Sequence, residues 1–225
     1  MTNAGVEKAL EQPVRISLGR ITLDGDIAIP PGAGGIVLFA HGSGSSRLSS
    51  RNRYVARYLQ GEGLATLLFD LLTRDEEEVD NYTMKLRFDI GLLADRLAGA
   101  TDWLASYREA QNLAVGYFGA STGAAAALIA ETRKPGRVQA IVSRGGRPDL
   151  AGRALEQVQA PTLLIVGGND HQVIMLNEQA LDQLRGVKKL VIVPGATHLF
   201  EERGTLESVS QLAAQWFREY LIPKG

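Results

Sequence analysis

Leu113-Ala-Val-Gly-Tyr-Phe118 runs directly into Gly119-Ala120-Ser121-Thr122-Gly123, and an alanine-rich stretch begins at Ala124. The first segment is an apolar run of strand length and the last has helical character, so the pentapeptide sits where a strand turns sharply into a helix. In that setting a serine is held in a strained backbone conformation with its hydroxyl exposed at the end of a sheet. A side chain two residues to either side would collide with the strand or helix packed beside the turn. Glycine therefore suits 119 and 123.

Working outward, continuous apolar runs recur at Gly35–Ala40, Leu64–Phe69, Val138–Val142, Thr162–Val166 and Leu190–Val193. Runs that are apolar on both faces point to buried parallel strands. Between them lie segments of helical periodicity, at Arg51–Gly61, Phe88–Arg108, Ser121–Thr132, Val173–Leu184 and Thr205–Leu221, with a shorter helix expected near Leu150–Val158. Ahead of this region Val14–Leu18 and Ile21–Ile29, the latter containing Asp24-Gly25, read as an antiparallel entry to the sheet. Alternation of this kind predicts a doubly wound α/β fold, a mostly parallel sheet with helices on both faces. Leu71–Leu86 is the least patterned stretch, and its charge run Arg74–Glu78 reads as a solvated loop or helix start. With no repeats and no Pro/Gly/Ser-rich linker, residues 1–225 read as a single domain that should bury roughly 70% of its unfolded surface.

The composition excludes several classes. There is no cysteine, which removes disulfides, thiolate metal sites and a Cys nucleophile, and favours a cytoplasmic setting. Net charge is −1, and the one local basic cluster, Arg47, Arg51, Arg53 and Arg57, is too small for a nucleic-acid footprint. Met1–Pro13 lacks the apolar core of a signal peptide, and no apolar run reaches the roughly 18 residues needed to span a bilayer. Neither a nucleic acid nor a membrane is expected as partner.

An alkyl hydroxyl is a poor nucleophile at neutral pH, so Ser121 needs a base to take its proton and later return it to the leaving group. The chain offers His41, His171 and His198. His198, in Pro194-Gly-Ala-Thr-His198, follows the last expected strand and emerges at the same sheet edge as Ser121. A carboxylate must hold the imidazole in the correct tautomer. Asp170, in Val166-Gly-Gly-Asn-Asp170, follows the penultimate strand and precedes a helix, with ordinary helix capping as its competing role. An oxyanion needs two backbone donors. Thr122, which starts a helix just past the nucleophile, offers one; Ser43 in His41-Gly-Ser-Gly44 offers the other, with Gly44 as second choice. His41 itself reads as structural, its ring bonding loop backbone. Asp70, at the end of Leu64–Phe69, reads as ordering the backbone around it. The glycine-rich loop lacks both the Lys-Ser/Thr ending of a P-loop and the third glycine of a dinucleotide fingerprint. Arg144 and Arg147, just beyond a strand end, could hold a substrate carboxylate or pair with a nearby acid.

Taken together, His41-Gly-Ser-Gly, Gly-Ala-Ser121-Thr-Gly, Val-Gly-Gly-Asn-Asp170 and Pro-Gly-Ala-Thr-His198 resemble the α/β-hydrolase superfamily, and more narrowly its small dienelactone-hydrolase-like branch. The resemblance covers nearly the whole chain. It implies a triad of Ser121, Asp170 and His198 and an oxyanion hole from Ser43 and Thr122. Dienelactone hydrolases proper use cysteine at the nucleophile position, so Ser121 implies a general serine esterase. Some similar bacterial chains also carry a phosphoribosyltransferase domain, which is not expected here. The interval Ser143–Pro161 holds about one short helix and no lid. The expected activity is hydrolysis of a small ester, lactone or thioester through an acyl-enzyme, with no metal or cofactor, by a monomer or homodimer. Acyl transfer, perhydrolysis and a non-catalytic binding role on the same fold stay open.

Overall fold

The computed structural model describes residues 11–222. The reading of the first ten residues lies outside them. Eight strands form one sheet: β1 (Glu11–Leu18), β2 (Ile21–Ala28), β3 (Gly35–Ala40), β4 (Ala65–Phe69), β5 (Ala114–Ala120), β6 (Val138–Arg144), β7 (Thr162–Gly167) and β8 (Lys188–Val193). Their order is β1-β2-β4-β3-β5-β6-β7-β8. β1 pairs antiparallel with β2 and β2 antiparallel with β4, as the entry hairpin predicts, and every pair from β4 onward is parallel.

Six α-helices cover it: α1 (Ser50–Gly61), α2 (Arg74–Thr83), α3 (Ile90–Leu104), α4 (Thr122–Arg133), α5 (His171–Gln183) and α6 (Thr205–Leu221). Along β3, Ile36 and Leu38 pack into one apolar cluster with Leu93, Leu97 and Leu128 of α3 and α4, while Val37 and Phe39 pack into another with Val55, Val209 and Phe217 of α1 and α6. The strands are buried on both faces because successive side chains point to opposite sides and a helix layer covers each. This is the doubly wound arrangement.

Two segments refine the sequence reading. In Leu71–Leu86 the charge run is a helix start, one of the two readings open to it: Arg74–Thr83 is helical, started by a capping box in which Glu76 N–H donates to the Thr73 hydroxyl and Thr73 N–H donates to Glu76. The reciprocal pair satisfies two amides that have no intrahelical acceptor, which offsets the weak apolar periodicity. The short helix expected near Leu150–Val158 is a 3₁₀ segment, Pro148–Gln157, interrupted at Gly152 (φ 53°).

The strand order fixes where chemistry can occur. From β3 the chain moves outward to β4, then crosses back over to β5 on the other side of β3. The loops leaving β3 and β5 therefore diverge and open a crevice at the carboxyl ends of these strands. Ala40 and Gly119 are register partners there, which sets His41-Gly-Ser-Gly opposite Ser121.

Candidate active site

Ser121 has φ 51° and ψ −121°, one of only three non-glycine residues with positive φ among the described residues. Such a conformation costs on the order of 1–3 kcal/mol and persists only where surroundings impose it. Here they do: Ser121 N–H donates to Arg144 O (3.3 Å), while Ser121 O accepts from Arg147 N–H (3.0 Å) and Ala124 N–H (3.1 Å). Ser121 is also the N-cap of α4, yet its hydroxyl caps nothing. A serine at that position ordinarily spends its oxygen on the helix amides; the twisted backbone leaves this one free.

The glycines at 119 and 123 are there for want of space. A Cβ on Gly119 would sit 2.4 Å from Ala124 Cα, and one on Gly123 would sit 2.1 Å from Ala40 O. Strand, helix and the loop after β3 are thus in backbone contact around the elbow.

His198 Nδ1 lies 2.7 Å from Asp170 Oδ2. An ionised carboxylate only accepts, so the ring carries its proton on Nδ1 and leaves Nε2 free to accept one. The Asp170 side chain is 15% exposed and the imidazole 40% exposed: the orienting acid is enclosed and the ring reaches the cleft. Asp170 is the N-cap of α5 but makes no side-chain cap bond, so the capping alternative is not the role it adopts. Three inter-strand steps separate β5 from β8, about 14 Å, and the His198 loop crosses back over that gap. A Cβ built on Gly145 would lie 3.6 Å from His198 Cε1, and Gly145 adjoins Arg144, whose carbonyl holds Ser121. The structure thus gathers Ser121, Asp170 and His198 at one edge. No hydrogen bond joins the Ser121 hydroxyl to the His198 ring; such contacts commonly tighten only around bound substrate.

Several positioning residues escaped the sequence reading. Asn169 N–H donates to Ala196 O (2.9 Å) and Asn169 Nδ2 to Gly195 O (3.0 Å), tying the Asp170 loop to the His198 loop. Glu202 receives Thr197 N–H (3.1 Å) and the Thr197 hydroxyl (2.6 Å). Buried Asn177 donates to Gly146 O (3.0 Å) and so steadies the loop clamping Ser121. No local motif announces the Asn169 and Asn177 bonds, which join segments 26 and 31 residues apart; the Thr197–Glu202 pair spans only five residues.

On the oxyanion side, Thr122 is the first residue of α4, and its amide has no intrahelical acceptor. Ser43 N–H donates to Thr122 Oγ1 at 2.9 Å. The Ser43 amide expected at the oxyanion is therefore not idle: it pins the loop to the elbow. Ser45 N–H donates to Gly42 O (3.1 Å), and Gly44 has φ +69°, a turn with positive φ at its third residue, where glycine is favoured. Asp70 accepts Arg47 N–H (2.8 Å) and pairs with the Arg47 guanidinium, ordering the far end of this loop. A cavity of about 110 Å³ lies against the turn, lined by Ser43, Gly44, Leu72, Leu93 and Arg87 among others.

His41 bonds loop backbone at both nitrogens: Nδ1 lies 3.0 Å from Gly42 O, and Leu71 N–H donates to Nε2 at 3.1 Å. Only the neutral Nδ1–H tautomer satisfies both. Burial pulls its pKa below the ordinary 6.5, against smaller upward pulls from Gly42 O and the Asp70 and Glu77 charges. The unfolded chain takes up this proton near pH 6.5 and the folded chain does so only at lower pH. Stability therefore falls as pH drops below about 6.5, by at most about 1.4 kcal/mol per pH unit. In urea titrations from pH 7.5 to 5, His41→Gln should have a shallower acid limb than wild type; equal slopes would mean that His41 is not held neutral.

The two candidate substrate arginines diverge. Arg147 already holds Asp149 with both arms of its fork, at 2.9 and 2.8 Å, so a substrate acid would have to displace that carboxylate. Arg144 is 7% exposed and has no acidic partner among the described residues.

A family model described as Dienelactone hydrolase family matches residues 23–221. The chain belongs to the dienelactone hydrolase family. A solved dienelactone hydrolase from Anabaena variabilis ATCC 29413 shares 63% identity over 96% of this chain and 100% of that one, with a TM-score of 0.94. Est1E from Butyrivibrio proteoclasticus, at 16% identity and TM-score 0.75 over 92% of this chain and 98% of that one, shares the fold. A Mycobacterium tuberculosis H37Rv protein named "Putative phosphoribosyl transferase" is 54% identical over 96% of this chain. The chain spans 48% of that relative's length. This member of the dienelactone hydrolase family carries serine where the sequence reading expects cysteine in the dienelactone hydrolases proper, and among the described residues no helix is long and apolar enough to cross a membrane.

Proposed function

We propose that the chain is a serine hydrolase that cleaves small esters, lactones or thioesters through an acyl-enzyme. The observation that carries this reading is the pairing of a strained, uncapped Ser121 hydroxyl with an Asp170–His198 couple at 2.7 Å. Ser121 Oγ attacks the substrate carbonyl as its proton passes to His198 Nε2. Asp170 holds the ring and stabilises the imidazolium. The tetrahedral oxyanion is held by the Thr122 amide and by an amide of the Ser43–Gly44 turn, the Ser43 N–H becoming available when the Thr122 hydroxyl turns away. Collapse expels the alcohol or thiol, which takes its proton from His198. Water, deprotonated by the same nitrogen, then releases the acid. No step calls for a metal or cofactor, and the partner is a small-molecule ester met by a monomer or homodimer.

The name of the Mycobacterium tuberculosis relative points to phosphoribosyl transfer, but that protein is about twice as long as the stretch matched here, and the residues gathered in this chain are those of acyl chemistry. Mixing the protein with a chromogenic ester should release about one equivalent of alcohol before steady state, with the acyl mass found on Ser121 by peptide mapping. Turnover without any adduct at Ser121, under conditions that trap the intermediate, would defeat the acyl-enzyme reading. Adding hydroxylamine or hydrogen peroxide in the same assay separates hydrolysis from transfer and perhydrolysis by product.

A further inference from the structure

α2 and the single 3₁₀ turn that follows it, Leu86–Phe88, form a unit tied tightly within itself and loosely to the rest of the molecule. Of the ten residues of α2 only Asp80 is buried. Its carboxylate accepts from Leu86 N–H (2.7 Å), Arg87 N–H (3.2 Å) and Arg87 Nε (2.5 Å), which joins helix, turn and guanidinium into one piece. The apolar residues of the unit do not anchor it: Val79, Tyr82, Met84 and Phe88 are all more than half exposed. Among the described residues, the side-chain bonds that reach the body are ionic, from Glu76 to Arg96 of α3 (2.5 Å) and from Arg74 to Asp24 of β2 (3.1 Å), and the Arg74 side chain lies almost wholly in solvent. The chain leaves α2 through Met84 at φ 53°, a left-handed conformation that ordinarily belongs to glycine or asparagine, so the downstream joint carries strain.

This unit lies over the cavity of about 110 Å³ beside the oxyanion turn. Glu77 and Asn81 of α2 line it on one side, Leu72 and Leu93 give it an apolar floor, and Gly42–Ser45 make the remaining wall. That wall is shared with the nucleophile, because a Cβ on Gly42 would sit 3.1 Å from Ser121 Cβ. Sheet order decides which part of a substrate enters. The leaving group must meet His198, whose loop arrives from β8, whereas the cavity lies on the opposite side of Ser121, beyond the ends of β3 and β4. The acyl chain, which stays on Ser121 after the leaving group departs, therefore points to the cavity. Pockets for drug-sized ligands occupy roughly 300–1,000 Å³, so this one holds a chain of only a few carbons. Its charges disfavour acids: Arg87 is matched by Asp80, while Glu77, near enough for its charge to act on His41, takes no part in the ion pairs that hold the unit.

We propose that the cavity beneath α2 is the acyl-chain pocket of the ester that Ser121 cleaves, that it takes a short uncharged chain, and that Arg74–Phe88 is a lid whose Glu76–Arg96 tie limits the chain's length. A short chain fits with the lid down. A longer one has to lift the lid against that ion pair, and an acidic one places a second carboxylate beside Glu77, where like charges repel. This inference deepens the hydrolase reading and rests on it, and the test separates the two.

The measurement is kcat/KM of the full chain on p-nitrophenyl esters whose acyl group lengthens from acetyl through butyryl to octanoyl, beside a hemiester of a short dicarboxylic acid. Wild type should favour butyryl over octanoyl by about 100-fold or more, since one methylene without room costs about tenfold or more. Leu93→Ala and Leu72→Ala, which deepen the floor, should each move that ratio toward octanoyl by about tenfold; Leu72 is only partly buried, so its variant keeps the test open if loss of Leu93 from the core costs the fold. Arg96→Met, outside the cavity, should raise octanoyl relative to butyryl several-fold, with Arg96→Lys restoring most of the wild-type ratio, and Glu77→Gln should raise the hemiester relative to butyryl. Equal turnover of butyryl and octanoyl esters by wild type, or an unchanged profile in folded Leu72→Ala and Leu93→Ala, overturns the pocket and leaves the hydrolase reading standing. A profile that shifts only when the alcohol of an acetate ester is lengthened gives the cavity to the leaving group and overturns the acyl assignment; a wild-type ratio in Arg96→Met overturns the lid. Cleavage of no ester, with no acyl adduct on Ser121, defeats the hydrolase reading and the pocket with it.

Discussion

Ser121→Ala should lose at least about 10⁴-fold in kcat/KM on any ester the wild type hydrolyses, and should not react with a fluorophosphonate that labels wild type stoichiometrically. The size follows from what is removed. Without the oxygen there is no covalent intermediate, and the residual rate comes only from substrate binding and the oxyanion donors. The backbone at 121 is held by Arg144 O, Arg147 N–H and Ala124 N–H, none of which involves the hydroxyl, and that hydroxyl caps no helix amide. The variant should therefore keep the wild-type melting temperature to within a few degrees, so the loss reads as chemistry and not as unfolding. Retained labelling, mapped to another residue, would move the nucleophile elsewhere.

Gly123→Ala should be the most damaging single methyl addition near the site. The new Cβ would fall 2.1 Å from Ala40 O and 2.6 Å from His41 O. Both are backbone atoms, so no rotamer change relieves the contact. Either α4 retreats or the end of β3 does. Overpacking of this kind costs about 3 kcal/mol, which for a chain of this size lowers the melting temperature by about 6–12 °C. Because His41 leads straight into the Ser43–Gly44 turn, the strain also spreads the two amide sources apart, and a displacement of about 1 Å at a reacting centre costs on the order of 10² in rate. Calorimetry and ester turnover on the same preparation check both. A variant with unchanged stability and activity would mean that the elbow is looser than these contacts require.

The loops that carry Ser121 and Asp170 show distant partners overriding local ones. Read locally, Asp170 has the position of a helix cap, and Ser121 has the residue type and position of one. Neither side chain bonds its own helix. Asp170 turns to His198, and Ser121 is wrung into positive φ by bonds from β6 and the loop after it. Such choices depend on partners 20 to 30 residues away, which periodicity does not report. The helix at Arg74–Thr83 is a different case. Thr73 and Glu76 form a capping box in the sequence itself, with Glu76 inside the charge run that left loop and helix start both open.

Arg144 and Arg147 make the same point. They lie three residues apart, one ending β6 and the other in the loop after it, and are chemically identical, yet Arg147 meets Asp149 two residues on, while Arg144 meets an aromatic ring and another cation. Spacing alone could name both as anion binders and could not rank them.

Local order was legible because it is written in neighbours: both-face apolar runs give parallel strands, glycines flanking a serine give a crowded elbow, and a histidine after the last strand emerges at a known edge. Convergence was not, because Ser121, Asp170 and His198 stand on strands separated by up to three steps of the sheet. Only the folded path of the loop after β8, anchored through Asn169, Thr197 and Glu202, brings the imidazole back toward the hydroxyl. The counter-charge missing at Arg144 is likewise a property of three-dimensional packing, since burial and the absence of a partner exist only once distant segments have closed around the side chain.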